Sequence, residues 1–546
     1  MNELKKLSAA AVALLAKRAS RTFSAKGGCA AGRKQAVRLL CAIYLCSLGA
    51  FAELKTGPLF TDNMVLQRDK PVVVWGTAEP GETVTVEFAG QKKEAVAGAG
   101  GKWQVTLDPM PASFNPRSLS IHSSLDTRQL TLANVLVGEV WFAGGQSNMR
   151  WALVNTDGAA ELLASGGAEI PGLRLFAMPE IVNELDADLP MKGWQECTKE
   201  TSISFSAVAW YFGRALKEHF KDVPVGIIMS ARGGTPGEAW IDLAYTNECP
   251  PFADYYEDIQ EKYEQKFKSF DVYKAAYLQY LNDWNDFAQK KSANKPVEPE
   301  GPYWSQRAGG LYSTMIAPIL PFTVRGVLWY QGETNMWRAY RYRSILSLLI
   351  KNWRRDFQDE ALPFLVVQLP GFGCGNAEYP VWAEVRDSQA AVAAKDPNVG
   401  LIPIPELGDE KNIHPTDKRS VGERLARFAR GFVYGEKIQY AGPSLDSVTF
   451  SDGKALVSLK HADGLAQRGE TIGGFTLAGA DKVFVPATVE LSGGKLTVSS
   501  PEVKEPVAVR YLWSNWIDPA EVNLFNAAGL PLAPFRTDDF RLVTQK

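Results

Sequence analysis

The stretch EVWFAGGQSNMRW, residues 139–151, joins an apolar segment to a turn that carries a hydroxyl group. Its apolar first half predicts a buried strand that ends at Gly144-Gly145. Ser147 then stands where the first turn of a helix should begin. A strand that leads into a helix is the building unit of α/β sheets, and ligands of such sheets bind at the carboxyl ends of the strands. The stretch therefore predicts an α/β fold with Ser147 at its ligand-binding edge.

From Val140 to about residue 436, buried-type strands alternate with amphipathic helices. The strand segments read VWFAGG, VPVGIIMS, GVLWYQG and PFLVVQLP, and the helical ones include AVAWYFGRALKEHF, YRSILSLLIKNWRRDF and KRSVGERLARFARGFVYG. This alternation is typical of a mostly parallel sheet covered by helices. Residues from about 247 to 302 interrupt it with loose helical periodicity and many Tyr, Lys, Glu and Asp residues. We predict an α/β domain over residues 138–436 with a helical insertion at about 247–302.

Short alternating strands with turn signals between them occupy both flanks of this domain. They read PVVVWGTAEPGETVTVEFAG and GKWQVTLDPMP on the N-terminal side, and DSVTFSDGKALVSLKHADG and EPVAVRYLWSN on the C-terminal side. Period-2 runs broken by Pro-Gly and Gly-Gly are typical of small β-sandwiches. We predict an N-terminal β-sandwich over residues 55–137 and a C-terminal β-sandwich over residues 437–546.

The first 52 residues differ in composition from the rest of the chain. Nine Lys or Arg residues, against one acidic residue, precede or border the apolar run Leu39–Leu48, and the small-x-small tripeptide Ala-Phe-Ala follows at 50–52. This is the order of regions in a secretory signal peptide. The apolar run is shorter than the roughly 17 to 25 residues of a membrane span. We expect cleavage after Ala52, an exported protein that is periplasmic or secreted, and no stable membrane anchor. The length of the segment also fits an over-extended start, with the true start near Val37.

Charge and cysteine content exclude several classes of protein. The chain has 59 Lys and Arg against 61 Asp and Glu, and without its first 52 residues it is more acidic and carries no Lys/Arg block. Nucleic acid is therefore not an expected partner. Beyond residue 52 only Cys197, Cys249 and Cys374 remain, so at most one disulfide is expected. The sequence contains no CxxC motif or Cys/His cluster that would predict a structural metal site.

The local sequence allows two interpretations of Ser147. Backbone N–H groups at the start of a helix are free to receive an oxyanion, which suits a nucleophilic serine. A serine at this position also caps a helix well. The stretch alone does not decide between nucleophile and cap.

A nucleophilic serine needs a base, and the chain contains four histidines. His122 and His461 lie in the predicted β-domains, and His219 stands beside charged residues near the end of a helix. His414, in ELGDEKNIHPTDKRSVGERLA, precedes a helix of the α/β domain that also holds Ser147. By elimination, His414 is the predicted general base.

Two further loops that follow predicted strands have the composition of an anion site. The segment IIMSARGGTPGEAWI supplies Gly233-Gly234, whose backbone allows a ligand to approach closely. The segment GVLWYQGETN supplies the side chains of Gln331, Glu333 and Asn335. Either loop is also compatible with a simple tight turn. Together with Ser147, they provide the parts of an acyl-transfer site.

Five segments, in chain order, resemble sialate O-acetylesterases of the SGNH-hydrolase superfamily. They read GGQSNM, ARGGTPGEAWI, LYSTMIAPILPFTVRGVLWYQGETN, IHPTDK and NLFNAAGLPLAPFRTDDF, and the resemblance extends from about Pro58 to Phe540. It implies an SGNH-type, flavodoxin-like parallel sheet flanked by the two β-sandwiches. It also implies hydrolysis of acetyl esters of O-acetylated sialic acid by a serine nucleophile, with no cofactor and no metal.

Three alternatives stay open beside this resemblance. Carbohydrate esterases that deacetylate xylan share much of the pattern, so an acetylxylan-type esterase is one alternative. A non-catalytic carbohydrate-binding protein is the second. A glycosidase is the third, and it would recruit Glu333 and Asp409 as its pair of carboxylates and leave Ser147 idle.

The resemblance assigns roles to individual residues. Ser147 matches the nucleophile of the family and His414 its base. Gly234 falls where a backbone N–H group binds the oxyanion. Gln331 and Asn335 are alternatives for the amide that completes the oxyanion site, because QGETN stands where the superfamily usually has GxND.

The acid of a catalytic triad departs from the family pattern. The superfamily has an aspartate three residues before the histidine, and Lys411 occupies that position here. The residues that could orient the imidazole instead are Asp409, Glu410, Glu406 and Glu333. Of these, Asp409 and Glu333 are favoured. A Ser-His pair whose imidazole is oriented by a backbone carbonyl is a further alternative.

Overall fold

A computed structural model of the protein describes residues 53–124, 129–186, 189–290, 295–375 and 378–545. The predicted signal peptide, residues 1–52, lies outside the described residues. Among the residues that are described, no helix has both the length and the apolar character that a membrane crossing requires.

The strands follow one another along the chain in three groups. The N-terminal group is β1 (Lys55–Thr56), β2 (Val65–Gln67), β3 (Val72–Thr77), β4 (Thr83–Phe88), β5 (Gln91–Val96), β6 (Lys102–Leu107), β7 (Ser113–Ser123) and β8 (Gln129–Gly145). The middle group is β9 (Leu173–Ala177), β10 (Gln195–Glu196), β11 (Val225–Ala231), β12 (Gly326–Tyr330), β13 (Phe364–Val367) and β14 (Val399–Ile402). The C-terminal group is β15 (Ser444–Ser451), β16 (Lys454–Lys460), β17 (Ala466–Gln467), β18 (Phe475–Ala478), β19 (Val485–Pro486), β20 (Thr488–Ser492), β21 (Lys495–Ser499), β22 (Ala508–Tyr511), β23 (Leu524–Phe525) and β24 (Phe535–Arg536).

The α-helices of the described residues all lie between β8 and β15. They are α1 (Ser147–Arg150), α2 (Ala159–Ala164), α3 (Lys199–Ser202), α4 (Ala207–His219), α5 (Pro250–Phe267), α6 (Phe270–Lys290), α7 (Ala339–Asp356), α8 (Val381–Lys395) and α9 (Lys418–Phe432).

A mostly parallel sheet forms the centre of the molecule. Its strands lie in the order β10-β9-β11-β8-β12-β13-β14, and all pairs are parallel except that of β10 with β9. Ala231 of β11 and Tyr330 of β12 both align with Gly145 of β8. These three strands therefore end at the same level, and the loops that follow them meet at one edge of the sheet.

Helices cover both faces of this sheet. Trp141 of β8 packs edge-on against Phe212 of α4, with 5.0 Å between ring centroids. The next residue, Phe142, packs against Trp353 of α7 at 5.4 Å. Because successive side chains of a strand point to opposite faces, α4 and α7 lie on opposite sides. This two-sided cover explains why β11, β12 and β13 are buried along their whole length and consist almost entirely of apolar residues.

One strand connects the N-terminal β-region to the central sheet. The first half of β8 pairs with β7 and β2, and its second half pairs with β11 and β12, so the predicted domain boundary at 137/138 falls inside this strand. Buried Glu139 in β8 accepts hydrogen bonds from Arg68, Arg325 and Tyr434. Burial opposes ionisation of this carboxyl group, but the two guanidinium groups outweigh burial and lower the pKa of Glu139. Strand continuity and this ionic cluster fix the two regions to each other.

The interruption of the α/β pattern is a pair of long helices, α5 and α6. Phe267, Tyr273, Tyr277 and Tyr303 form a buried aromatic cluster of their own at this pair. The predicted insertion at about 247–302 therefore has its own small core, separate from that of the central sheet.

Antiparallel strands make up the C-terminal region. Two four-stranded sheets, β15-β16-β21-β20 and β19-β18-β22-β24, and the pair β17-β23 surround a core that includes Val457, Leu477, Val498 and Tyr511. The molecule as a whole is a mixed α/β protein with several sheets, as the sequence pattern predicts.

Candidate active site

Ser147 lies at the carboxyl edge of the central sheet, directly after β8. Gly145 has a φ of +143°, and a Cβ atom there would lie 2.1 Å from the carbonyl oxygen of Tyr330, so the close approach of β8 and β12 requires glycine. Ser147 is the first residue of α1, whose N-cap is Gln146, and no side chain caps this helix. The hydroxyl group is therefore not used as a cap, and the capping interpretation of Ser147 is wrong.

His414 is in direct contact with this hydroxyl group. Its Nε2 atom lies 2.7 Å from the Oγ atom of Ser147. The imidazole stacks on Trp151, with 4.9 Å between centroids and 22° between planes. Burial lowers the pKa of His414, and the nearby positive charge of Lys418 lowers it further. A neutral imidazole in contact with a serine hydroxyl is the arrangement that general-base activation requires.

The acids predicted from the sequence do not contact this imidazole. Asp409 accepts hydrogen bonds from the backbone N–H groups of Lys411 (2.8 Å) and Asn412 (2.9 Å) and so closes its own turn. Glu406 pairs with Arg424. Glu410 is exposed. Across the described part of the chain, no carboxylate forms a hydrogen bond or ion pair with the ring of His414.

Glu333 belongs instead to a buried polar chain beside the serine. Asn148 donates from Nδ2 to Glu333 Oε1 (2.7 Å) and to the carbonyl oxygen of Ile413 (3.0 Å), and it accepts a hydrogen bond from the ammonium group of Lys418. Burial raises the pKa of Glu333 to about 7, and burial lowers the pKa of Lys418 to about 7. Asn148 follows the serine and Ile413 precedes the histidine, so this chain fixes the two loops relative to each other.

The sequence analysis missed the roles of Asn148 and Lys418. A signal was present for both. Asn148 belongs to the GGQSNM segment that also contains the serine, and Lys418 ends the IHPTDK segment that contains the histidine.

Two backbone N–H groups beside Ser147 are available to an oxyanion. A Cβ atom at Gly233 would lie 3.4 Å from the Cβ atom of Ser147, so the Gly233-Gly234 turn passes close to the serine. Gly234 has a φ of +71° and lines the same cleft as the serine. Within the described ranges, the N–H groups of Ser147 and Gly234 donate to no other group. These two N–H groups are the candidates for an anion-binding corner.

The amides of Gln331 and Asn335 are engaged elsewhere. Gln331 donates from Nε2 to Asn335 Oδ1 (2.8 Å) and to the carbonyl oxygen of Thr235 (3.2 Å). Asn335 donates from Nδ2 to Glu238 Oε2 (2.7 Å) and accepts from the N–H group of Gly237 (2.9 Å). Both side chains are fully buried and neither lines the cleft. Their amides hold the loops after β11 and β12 together, and the structure brings neither of them to the serine.

Ser147 and His414 open into a cleft of about 960 Å³. Its walls combine charged side chains, among them Arg150, Glu180 and Arg232, with aromatic rings. Glu333 and Asp409, the two carboxylates of the glycosidase alternative, do not line it. A separate cavity of about 490 Å³, between α8, α9 and the C-terminal strands, contains neither the serine nor the histidine, so the larger cleft is the candidate active site.

Comparison with known proteins finds relatives of this chain among carbohydrate esterases. The profile of the family described as carbohydrate esterase, sialic acid-specific acetylesterase, matches residues 301–430. A sialate O-acetylesterase from Mus musculus is 28% identical over 525 residues, which are 87% of this chain and 93% of the mouse protein. The Homo sapiens sialate O-acetylesterase is 27% identical over 519 residues, which are 87% of this chain and 90% of the human protein.

A solved structure is similar over almost the whole chain. The crystal structure of a carbohydrate acetylesterase from Xanthomonas citri superposes with a TM-score of 0.72 at 34% sequence identity, and the match covers 89% of this chain and 100% of that one. The chain therefore belongs to the sialate O-acetylesterase family of carbohydrate esterases, and it is a carboxylic ester hydrolase.

Proposed function

We propose that the protein is an exported serine esterase that removes acetyl groups from O-acetylated sugars, with Ser147 as nucleophile and His414 as general base. The observation that carries this proposal is the 2.7 Å contact between Ser147 Oγ and His414 Nε2 at the edge of the central sheet. The basic and then apolar N-terminal 52 residues support export.

The strand order supports an SGNH-type core within this proposal. Without the edge strands β9 and β10, the sheet reads β11-β8-β12-β13-β14, which is the 2-1-3-4-5 order of flavodoxin-like sheets. Ser147 follows the first strand of that order, at the point where the order reverses. This is where such sheets bind their ligands. We regard the all-β regions on either side as the flanking β-sandwiches.

The proposed reaction is acyl transfer in two steps. His414 takes the proton of the Ser147 hydroxyl as its oxygen attacks the acetyl carbonyl, and the N–H groups of Ser147 and Gly234 bind the resulting oxyanion. The C–O bond to the sugar then breaks, and His414 returns the proton to the leaving sugar oxygen. Water attacks the acetyl-serine in the same way and releases acetate.

We propose that His414 works without a carboxylate partner, as a Ser-His pair whose imidazole is held by packing and by its own loop. Stacking on Trp151 restricts the tilt of the ring. The hydrogen bond from Asn148 to the carbonyl oxygen of Ile413 holds the preceding residue, and Asn412 accepts from the N–H group of His414 at 2.9 Å. Glu333 contributes through Asn148, as a positioning residue.

O-acetylated sialic acid is the proposed substrate. Arg150 and Arg232 line the cleft and share one carboxylate partner, Glu180; the distance from Arg232 Nη1 to Glu180 Oε2 is 2.9 Å. Guanidinium groups form strong, directional hydrogen bonds with carboxylates, and sialic acid carries a carboxylate that neutral sugars lack. An acetylated xylan is the second candidate, because the aromatic rings of the same cleft suit a neutral sugar.

The substrate is tested by acetate release from acetylated sialosides and from acetylated xylo-oligosaccharides under identical conditions. We expect the sialosides to give the higher kcat/KM, and Arg232→Gln to raise KM for sialosides more than for xylo-oligosaccharides. The opposite preference would replace sialic acid by a neutral sugar and leave the esterase mechanism standing. Release from neither set would contradict the proposed function.

The pH profile should report the environment of His414. A general base acts in its neutral form, so a lowered pKa of His414 keeps the enzyme active at lower pH. The acidic limb of kcat/KM should therefore have its midpoint below the ordinary imidazole value of about 6.5. Between pH 5 and pH 6 Lys418 is protonated, and it disfavours the imidazolium form. Lys418→Met should move the midpoint to higher pH.

Hydrolysis of p-nitrophenyl acetate measured across pH 4.5–8 gives this midpoint. Lys411→Met is the matched control, because it removes an equal charge from an exposed position and should leave the midpoint in place. A thermal melt of each variant checks the fold. A midpoint that stays unchanged or falls in Lys418→Met would refute the role of this charge.

A further inference from the structure

Helix α6 presents a row of aromatic side chains to the cleft that contains the catalytic pair. Tyr277, Tyr280 and Trp284 follow one another at i, i+3 and i+7, a spacing that puts them on one face of a helix. The ring centroids of Tyr277 and Tyr280 are 5.7 Å apart, and those of Tyr280 and Trp284 are 6.2 Å apart. All three line the same 960 Å³ cleft as Ser147 and His414. The row therefore belongs to the wall of the active site.

Tyr280 packs against the aromatic core of the insertion and Trp284 packs on Phe287, but this packing leaves part of both rings uncovered. The buried core of the α5–α6 pair ends at Tyr277, which is 4% exposed and which accepts a hydrogen bond from Asn183 Nδ2 at 3.2 Å. Tyr280 and Trp284 lie one and two turns further along α6 and are only half-buried. Their rings keep surface that faces the cleft, which is the surface on which a ligand can pack.

The catalytic end of the cleft also carries aromatic surface. Trp151 is half-buried, lines the cleft and stacks on His414. Trp304, from the segment after α6, is half-buried and lines the cleft as well. Aromatic rings are thus present both at the histidine and on the insertion.

The size and polarity of the cleft indicate a ligand longer than one sugar. Its volume of about 960 Å³ is at the upper end of the roughly 300–1,000 Å³ of sites for drug-sized ligands. Its wall contains aromatic rings and also carboxylates such as Glu298 and Glu300. Sugar chains offer the matching surfaces, because a pyranose ring has an apolar C–H face that packs on an aromatic ring and hydroxyl groups that donate to carboxylates.

We propose that Tyr280 and Trp284 form a glycan-binding wall for the sugars that follow the acetylated one, so that the natural substrate is an acetylated oligosaccharide or polysaccharide and not a free monosaccharide. This inference rests on the proposed function for the position of the acetylated sugar. It assigns the helical insertion a role in substrate binding, in addition to its own small core.

The first test compares two substrates on each variant. The measured quantity is the ratio of kcat/KM for an acetylated oligosaccharide to kcat/KM for p-nitrophenyl acetate. We expect Trp284→Ala to lower this ratio at least about tenfold, mainly through KM, because a sugar loses its packing surface. Tyr256→Ala on α5 is the matched control, since Tyr256 is 37% exposed and does not line the cleft, and it should leave the ratio unchanged. An equal loss on both substrates, or no loss on the oligosaccharide, overturns the proposal.

The second test is independent of the catalytic assignment. Binding of sialyllactose and of xylotetraose to Ser147→Ala is measured by calorimetry and compared with binding of sialic acid and xylose. We expect at least one oligosaccharide to bind about tenfold or more tightly than its monosaccharide, and the additional change Trp284→Ala to remove that difference. If neither oligosaccharide is preferred, the wall is absent, whatever the identity of the nucleophile. If the preference exists but Ser147→Ala keeps full esterase activity, the proposed nucleophile is wrong and the wall stands.

Discussion

Ser147→Ala is expected to lower kcat for acetate release by a factor on the order of 10⁴ to 10⁶, the range found when the nucleophile of a serine hydrolase is removed. The hydroxyl group is in contact with His414 and carries no capping hydrogen bond, so its loss removes the reacting atom and little else. Far-ultraviolet circular dichroism and the Tm should match the parent, because no core volume is lost. Acetate release with an acetylated sugar substrate gives the rate.

Ser206→Ala is a useful comparison for this variant. Ser206 is fully buried, donates to the carbonyl oxygen of Met149 and caps α4, so its loss should lower the Tm. The two variants are therefore expected to differ in their effects: Ser147→Ala loses activity, and Ser206→Ala loses stability. Retention of more than about a hundredth of parental kcat in Ser147→Ala would be inconsistent with a nucleophile at this position.

His414→Ala is expected to cause a loss of similar size, on the order of 10⁴-fold or more in kcat, because the serine hydroxyl then has no base. The residual activity should no longer show the acidic limb that the imidazole produces. Rates of p-nitrophenyl acetate hydrolysis across pH measure both effects. A residual rate that keeps the parental acidic limb would show that another group is the base.

Asp409→Asn is the variant that distinguishes a Ser-His pair from a triad in which Asp409 holds the histidine. Among the described residues, Asp409 accepts only from the backbone N–H groups of Lys411 and Asn412, and an asparagine keeps an acceptor oxygen for that turn. We expect kcat to stay within about threefold of the parent, because the carboxylate makes no contact with the imidazole. A loss comparable to that of His414→Ala would make Asp409 the acid of a triad after all.

The contact between Ser147 and His414 could be predicted from the sequence because both residues lie in loops of one strand-helix domain. They are 267 residues apart, yet the parallel sheet brings such loops to the same edge. His122 and His461 lie in β-rich segments, and His219 stands beside charged residues near the end of a helix, so the local sequence distinguishes all three from His414.

The partners of the histidine could not be predicted from spacing. Asp409 and Glu333 are both plausible by composition, but the first closes a local turn and the second is buried behind Asn148. Gln331 and Asn335 have the amides that an oxyanion site uses, and the i, i+4 spacing lets them bond to each other instead. The direction in which a loop side chain points depends on tertiary contacts that the local sequence does not contain.

The most direct test of the central claim is covalent labelling with diisopropyl fluorophosphate, a reagent that attaches to activated serine hydroxyls, followed by peptide mapping. The contact between Ser147 and His414 predicts one stoichiometric adduct, on Ser147, formed with loss of acetate release. The adduct should be absent in Ser147→Ala and should form far more slowly in His414→Ala. Stoichiometric labelling of a different residue, with Ser147 unmodified and activity lost, would contradict the account.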